Sequence, residues 1–199
     1  LNVNLGFTHF TILPEQVQLT NPILLLAFIP LFSYIIYPGV EKMGIKVTSL
    51  RKIGAGMVFT MLTFVVIALI QTKIDAGQTP NAIWQVFAYV LITIAEILIS
   101  ITGLEYAYTQ APPIMKSTVM ACFLATVFVG DFFDTLINKN IVAGGFFSKL
   151  NGAQYYWFFF FVMTAFTILY MFVSKHLKEK SYIIDKLTED EALVEKNYN

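Results

Sequence analysis

Five unbroken apolar blocks decide what this chain can fold into. Residues 21–38 read NPILLLAFIPLFSYIIYP, and residues 53–70 read IGAGMVFTMLTFVVIALI. Residues 83–104 read IWQVFAYVLITIAEILISITGL, and residues 117–137 read STVMACFLATVFVGDFFDTLI. Residues 155–174 read YYWFFFFVMTAFTILYMFVS. A helix rises about 1.5 Å per residue, so each block covers roughly the 30 Å of a bilayer's hydrocarbon core. Barrel strands are only about ten residues long and alternate apolar with polar. These blocks do not alternate. In lipid the backbone must satisfy its own hydrogen bonds, which forces helix on them. Charged residues reach only 13% against 57% hydrophobic, well below the roughly 25% charged of a soluble domain. The expected fold is all-α and integral to a membrane, with five transmembrane helices. Pro30 lies inside the first block. Its missing N–H and its ring clash predict a bend there rather than a break.

Lysine and arginine placement sets the expected orientation. Lys42, Lys46, Arg51, Lys52, Lys116, Lys175, Lys178, Lys180, Lys186 and Lys196 fall on one side, and Lys73, Lys139 and Lys149 on the other. Cationic loops stay in the cytoplasm, so the chain start is expected outside and the C-terminus inside. The expected organisation is an extracytoplasmic leader over 1–20, a helical bundle over 21–174 and a cytoplasmic tail over 175–199. The tail's opening residues read as a helical continuation. Asp75-Ala76-Gly77, Thr79-Pro80-Asn81, Gly144-Gly145 and Asn151-Gly152 read as turns. Trp84, Tyr155, Tyr156 and Trp157 stand at block starts, at headgroup level. Gly54 and Gly56 read as close-packing positions, and Phe158 to Phe161 as lipid-facing. Net charge is zero with no basic stripe, so nucleic acid is not an expected partner. The lone Cys122 says nothing of redox compartment. His9 has no metal pattern around it. The leader lacks a signal peptide's basic flank and apolar run. With Leu1 rather than Met first, the chain is expected to be a piece of something longer.

Glu96 is the informative polar residue, near the middle of the third block within ITIAEILIS. A carboxylate at that depth costs several kcal/mol unless paired, hydrated or protonated. The other blocks carry no Lys, Arg or His at mid-depth. Its partner is therefore expected outside this chain, as a further helix, a ligand amine or a proton. Either Glu96 faces water or a structural neighbour, or it lines a polar solute cavity; the second reading is preferred. Ser100 lies one turn on and shares its face, and Thr93 is slightly off the turn before. Ser100 taken alone is expected to bond back to its own helix. Asp131 and Asp134 lie in the outer third of the fourth block, either hydrated at the interface or, for Asp131, facing the cavity. Glu105 closes the third block near Tyr106, Tyr108 and Lys116. Asn21 directly precedes Pro22, the pattern of an N-cap with proline at the first helical position. No HExxH, CxxC, phosphate loop or nucleophile–base pair occurs, so an enzyme is not expected.

The run EILISITGLEYAYTQAPPIMKS over 96–117 resembles the stretch around the tenth helix of proton-dependent oligopeptide transporters, members of the major facilitator superfamily. TNPILLLAFIPLFSYIIYP, followed by VTSLRK, resembles that family's eighth helix and its inner connection. The resemblance implies helices eight to twelve of a twelve-helix transporter, with the other helices outside this chain. The short loop over 71–82 resembles bacterial members. By resemblance, Glu96 faces the amino group of a peptide, Ser100 lines the same pocket and Asn21 contacts the peptide near its amino end. Phe123 stands where the family has a pocket tryptophan, so the indole donor is lost. Asp131 stands where an asparagine is usual and adds negative charge, as a cavity or coupling residue. Ser33 replaces an aspartate that animal members pair with an arginine.

The implied function is proton-coupled symport of dipeptides and tripeptides into the cell, through the plasma membrane. No cofactor is implied, and the proton gradient supplies the energy. The implied partners are short peptides, protons, the lipid bilayer and the transporter's remaining helices. This chain alone is not expected to transport. The alternatives are a symporter for another organic solute or nitrate, and a non-transporting scaffold or sensor derived from the same fold.

Overall fold

The computed structural model describes residues 2–4, 9–11, 20–44, 47–78 and 80–177. Five of its helices are long and apolar enough to cross a membrane: Asn21–Lys42, Ser49–Asp75, Ile83–Gln110, Pro113–Val142 and Ala153–Ser174. They are the first to fifth spans below. Each contains its apolar block, and four of them run on past it by a turn or more. A run of apolar letters stops at the first polar residue, whereas a helix continues until something caps it. The second span shows both signals. The Thr48 hydroxyl oxygen accepts from the Arg51 backbone N–H at 3.4 Å at its start. At its end Gly77 takes φ +77°, a left-handed conformation that favours glycine. The Gly77 and Gln78 N–H groups there close the last turn onto Ile74 and Lys73, both at 2.9 Å.

The third span is the centre of the bundle: 44% of its most apolar window is buried, against 6% for the first, fourth and fifth spans. The second span packs against the third on one side and the fifth on the other. Gly56 makes the first of these contacts close, as its spacing predicts. A Cβ there would stand 2.7 Å from Ile99 Cγ1 and 2.8 Å from Leu98 Cβ. Gly54 faces the Tyr170 ring at an ordinary 3.5 Å, and the Tyr170 hydroxyl donates to the Leu50 carbonyl at 2.9 Å. Phe159 stacks on Phe64 with centroids 6.0 Å apart, and Phe158 packs on Phe147 at 5.8 Å. The expected lipid-facing run is thus corrected. Among Phe158 to Phe161 only Phe161 is exposed, at 65%, and the other three are half-buried, because four consecutive helical residues point in four directions.

The first span passes through Pro30 without interruption, as α-helix over Thr20–Leu31, π-helix over Phe32–Ile36 and α-helix over Tyr37–Lys42. The third span has a π segment of its own at Ile97–Ile101. The two π segments meet: Phe32 packs with Ile97 and Leu98 in a buried cluster bordered by Leu25, Phe28 and Phe59. The Thr102 hydroxyl reaches back to the Ile97 carbonyl at 3.4 Å. The fourth span touches the third mainly along Thr102–Gln110.

At the opposite end, two turns read separately in the sequence join. The Asp75 carboxylate accepts from the Ala153 backbone N–H at 3.0 Å and from Gln71 Nε2 at 2.9 Å. A carboxylate at the start of the fifth span complements the positive end of the helix. Gly152, at φ +57°, leaves room for it, since a Cβ would collide with that carboxylate.

Toward the two chain ends the leader carries a short sheet, and the expected helical continuation into the tail is corrected. The leader contains a short antiparallel pair, β1 (Asn2–Asn4) and β2 (His9–Thr11), in the register Asn2↔Thr11, Val3↔Phe10 and Asn4↔His9. The rest of 1–19 lies outside the described residues. The fifth span does not continue into the tail. It ends at Ser174, and His176 and Leu177 close turns onto Val173 and Ser174 at 3.0 and 3.4 Å. Residues 178–199, with four of the tail lysines, lie outside the described residues.

Candidate functional site

Glu96 is half-buried, at the junction of the α-helix Ala82–Glu96 and the π segment after it. That position is roughly 20 Å along the helix from Ile83 at about 1.5 Å per residue, deep within the span. Its Oε2 accepts from Asn21 Nδ2 at 2.9 Å. The expected compensating charge is still absent among the described residues, but the carboxylate does not stand alone. A neutral amide from the first span reaches it, and among the described residues it is the one hydrogen-bond partner of Glu96.

The same bond revises the role of Asn21. The side chain does not cap its own helix, which already includes Thr20. It turns across to the third span, so the start of the first apolar block lies beside Glu96. Both ends of the amide are used: Nδ2 donates to Glu96, and Oδ1 accepts from the Thr93 hydroxyl at 2.6 Å. Thr93 is completely buried, and its hydroxyl also lies 2.8 Å from the Tyr89 carbonyl one turn back. Thr93 and Glu96 are neighbours on one helix face at i, i+3 spacing, and Asn21 bridges them from another helix. The spacing was legible in the sequence. The bridge was not, because nothing local links residues more than seventy positions apart.

Ser100 is exposed within the π segment, and its hydroxyl makes no hydrogen bond among the described residues, so the expected bond back to its helix is absent. Phe123 is half-buried on the fourth span, with its ring edge against Gly103: a Cβ on Gly103 would lie 3.2 Å from Phe123 Cε2. Asp131 is exposed further along that helix; its backbone carbonyl accepts from the Thr135 hydroxyl at 2.8 Å, and its carboxylate makes no hydrogen bond among the described residues. Asp134 is tied instead to the fifth span, its Oδ1 accepting from the Tyr155 hydroxyl at 3.3 Å. Asn21, Thr93 and Glu96 thus form one connected group, and the structure leaves Asp131 outside it. Glu105 is exposed at the far end of the third span, near Tyr37, while Lys116 lies over the Tyr108 ring at 4.1 Å. A separate cavity of about 360 Å³ between the second, third and fifth spans is lined by Thr63, Gln71, Gln85, Tyr89 and Tyr156 among others; Glu96 does not line it. Among the described residues no cluster of three or more His, Cys, Asp or Glu side chains is placed to hold a metal.

The chemistry of the group is that of a cation acceptor. One carboxylate oxygen is held by a neutral donor, and the other has no hydrogen-bond partner among the described residues. An amide donor lowers the cost of the charge without cancelling it.

Comparison with known proteins bears on what such a carboxylate serves. Residues 1–158 match the model of the POT family. The chain is 36% identical over 138 residues to the probable peptide transporter ptr2 of Schizosaccharomyces pombe, covering 63% of this chain and 22% of that protein. It is 42% identical over 108 residues to human solute carrier family 15 member 2, covering 53% of this chain and 14% of that protein. The crystal structure of the POT family transporter PepTSo superposes with a TM-score of 0.69 at 33% identity, over 84% of this chain and 35% of that one. The chain thus spans between about a seventh and a third of the length of these relatives. With a family model covering most of its residues and a matching membrane-helix fold, this chain belongs to the POT family.

Proposed function

We propose that the protein to which this chain belongs is a proton-coupled symporter that carries dipeptides and tripeptides into the cell across the plasma membrane. The observation that carries this reading is the half-buried Glu96 carboxylate, whose one described partner is a neutral amide. A carboxylate in that state still lacks a positive charge, and the ammonium of a peptide supplies one. The family's named members support the cargo, since the fission-yeast relative is named a peptide transporter.

In this reading Glu96 anchors the peptide amine and Asn21 lies beside the same end. Ser100, exposed one turn on, lines the pocket, and Phe123 forms a wall that adapts to side chains. Asp131 adds negative charge to the outer half of the path. The counter-wall, with the cations that hold the peptide carboxylate, comes from the transporter's remaining helices. Short peptides share their amine and carboxylate whatever their side chains, so two charged anchors tolerate variety. The energy source is the proton gradient, with no cofactor. The lysine bias supports an orientation with the chain start outside and the C-terminus in the cytoplasm.

The test is uptake of a labelled dipeptide by the complete transporter in vesicles, with and without an imposed pH gradient. Uptake should follow the gradient. Glu96→Ala should reduce it by about a hundredfold, the scale of a buried charge contact worth roughly 3 kcal/mol. Wild-type uptake by that variant would overturn the assignment.

A further inference from the structure

Threonine hydroxyls inside membrane-spanning helices ordinarily satisfy themselves on the carbonyl one turn back. Thr63 and Thr167, each 2% exposed, do this at 2.9 and 2.7 Å and make no other side-chain hydrogen bond among the described residues. Thr93 differs. Its hydroxyl has the same recourse, the Tyr89 carbonyl at 2.8 Å, yet it lies closer still to Asn21 Oδ1, at 2.6 Å. Both neighbours are acceptors, so the single hydroxyl proton is the only donor between them. Burial of Thr93 is complete, and water cannot substitute for it.

The consequence falls on Asn21. A primary amide presents a donor on one side and an acceptor on the other, and the two ends have nearly the same shape. Sterics alone therefore leave two orientations. The ionised carboxylate separates them, since it can only accept: the NH₂ end faces Glu96, where Nδ2 donates to Oε2 at 2.9 Å, and Thr93 supplies the proton that Oδ1 then needs, at 2.6 Å. The reverse orientation would set Oδ1 against the carboxylate, two acceptors with no proton between them when Glu96 is ionised. We propose that Thr93 is a positioning residue for substrate: by donating to Asn21 it keeps the amide's donor end on Glu96 and so holds the carboxylate with one oxygen engaged and the other presented to the incoming cation.

This rests on the transport reading above, with Glu96 as anchor of the peptide amine. Thr93 itself does not touch the peptide. Its loss therefore weakens capture more than turnover, and the loss passes through Asn21.

The test uses the complete transporter and labelled dipeptide uptake, with surface abundance measured for each variant. Thr93→Val keeps the shape and removes the hydroxyl. It should raise KM about tenfold, the scale of one buried hydrogen bond, with maximal rate per surface molecule little changed. Thr93→Ser keeps the hydroxyl and should restore KM to within about twofold of wild type. Asn21→Ala should raise KM by itself, and Thr93→Val added to Asn21→Ala should raise it no further, since a residue acting through another is silent once that other is gone. A Thr93→Val transporter with wild-type KM overturns the proposal. So does a Thr93→Ser variant as impaired as Thr93→Val, or full additivity with Asn21→Ala, either of which marks a packing role alone. Glu96→Ala separates the two levels. If it loses uptake while Thr93→Val does not, only the positioning role fails; if it transports normally, the transport reading fails with it.

Discussion

Gly54 and Gly56 lie two residues apart on one helix and face different neighbours. At Gly56 a methyl group would press within 2.8 Å of two side-chain carbons and 3.2 Å of the Ala95 carbonyl oxygen. These belong to the residues around Glu96, so the second span sets how closely the site's own helix is held. At Gly54 the same methyl group would meet only the Tyr170 ring, at 3.5 Å. Gly56→Ala should therefore overpack the contact and cost about 1–3 kcal/mol. Gly54→Ala should fall within about 0.5 kcal/mol of wild type. Thermal unfolding of the two variants in detergent checks this, and equal melting temperatures would contradict it. Glu96 makes a second point at this scale. Its identity and position in the sequence announced a carboxylate in need of a partner. That the partner was Asn21 needed the fold, because amides give no charge pattern to follow.

Paired π segments set the element scale. A π turn holds one residue more than the α turn it replaces, and its hydrogen bonds run i→i+5. Phe32–Ile36 and Ile97–Ile101 lie against each other through Phe32, Ile97 and Leu98. Pro30, two residues before the first, has no N–H to give the Leu26 carbonyl. That missing bond loosens the ladder where the wider turn begins. The sequence reading expected a bend rather than a break at Pro30; the structure shows no break, and the change of pitch beyond the proline was not foreseen. For the third span no proline or glycine announces the π segment, and only the packing reveals it. A consequence follows for deletions. Removing Ser33 should let the segment revert to α-helix with its flanks in place. Removing Ala27 should turn Asn21 by about 100° relative to Phe32 and pull it from Glu96. Loss of Ser33 should thus leave surface abundance and melting temperature closer to wild type than loss of Ala27. The reverse order would count against this account of the π segment.

At the scale of the whole molecule, the first and fourth spans are covered over only a small share of their length, while the third is the most enclosed. Spans with so little of their surface inside the bundle face lipid or further helices. Glu96 and Asn21 lie between the sparsely covered first span and the third. A site built on that side has one wall among the described residues, and the proposed peptide carboxylate has no cation to meet there among them. Residues 1–199 reconstituted alone in vesicles with a pH gradient should show dipeptide uptake equal to empty vesicles. Gradient-dependent uptake by that piece would mean that it contains a complete path.

Hydropathy alone settled membrane class, span number and approximate span positions, because lipid imposes one rule on every backbone group and each apolar block obeys it independently of the others. The turn residues Gly77, Asn81 and Gly152 were likewise readable, since each acts on its own few neighbours. Which spans touch, that Asp75 reaches the start of the fifth span and that Thr93, Asn21 and Glu96 form one hydrogen-bonded chain were decided by tertiary structure alone. Those contacts join residues dozens of positions apart, and their energy depends on distance and direction in space, which a linear pattern of residue types does not encode.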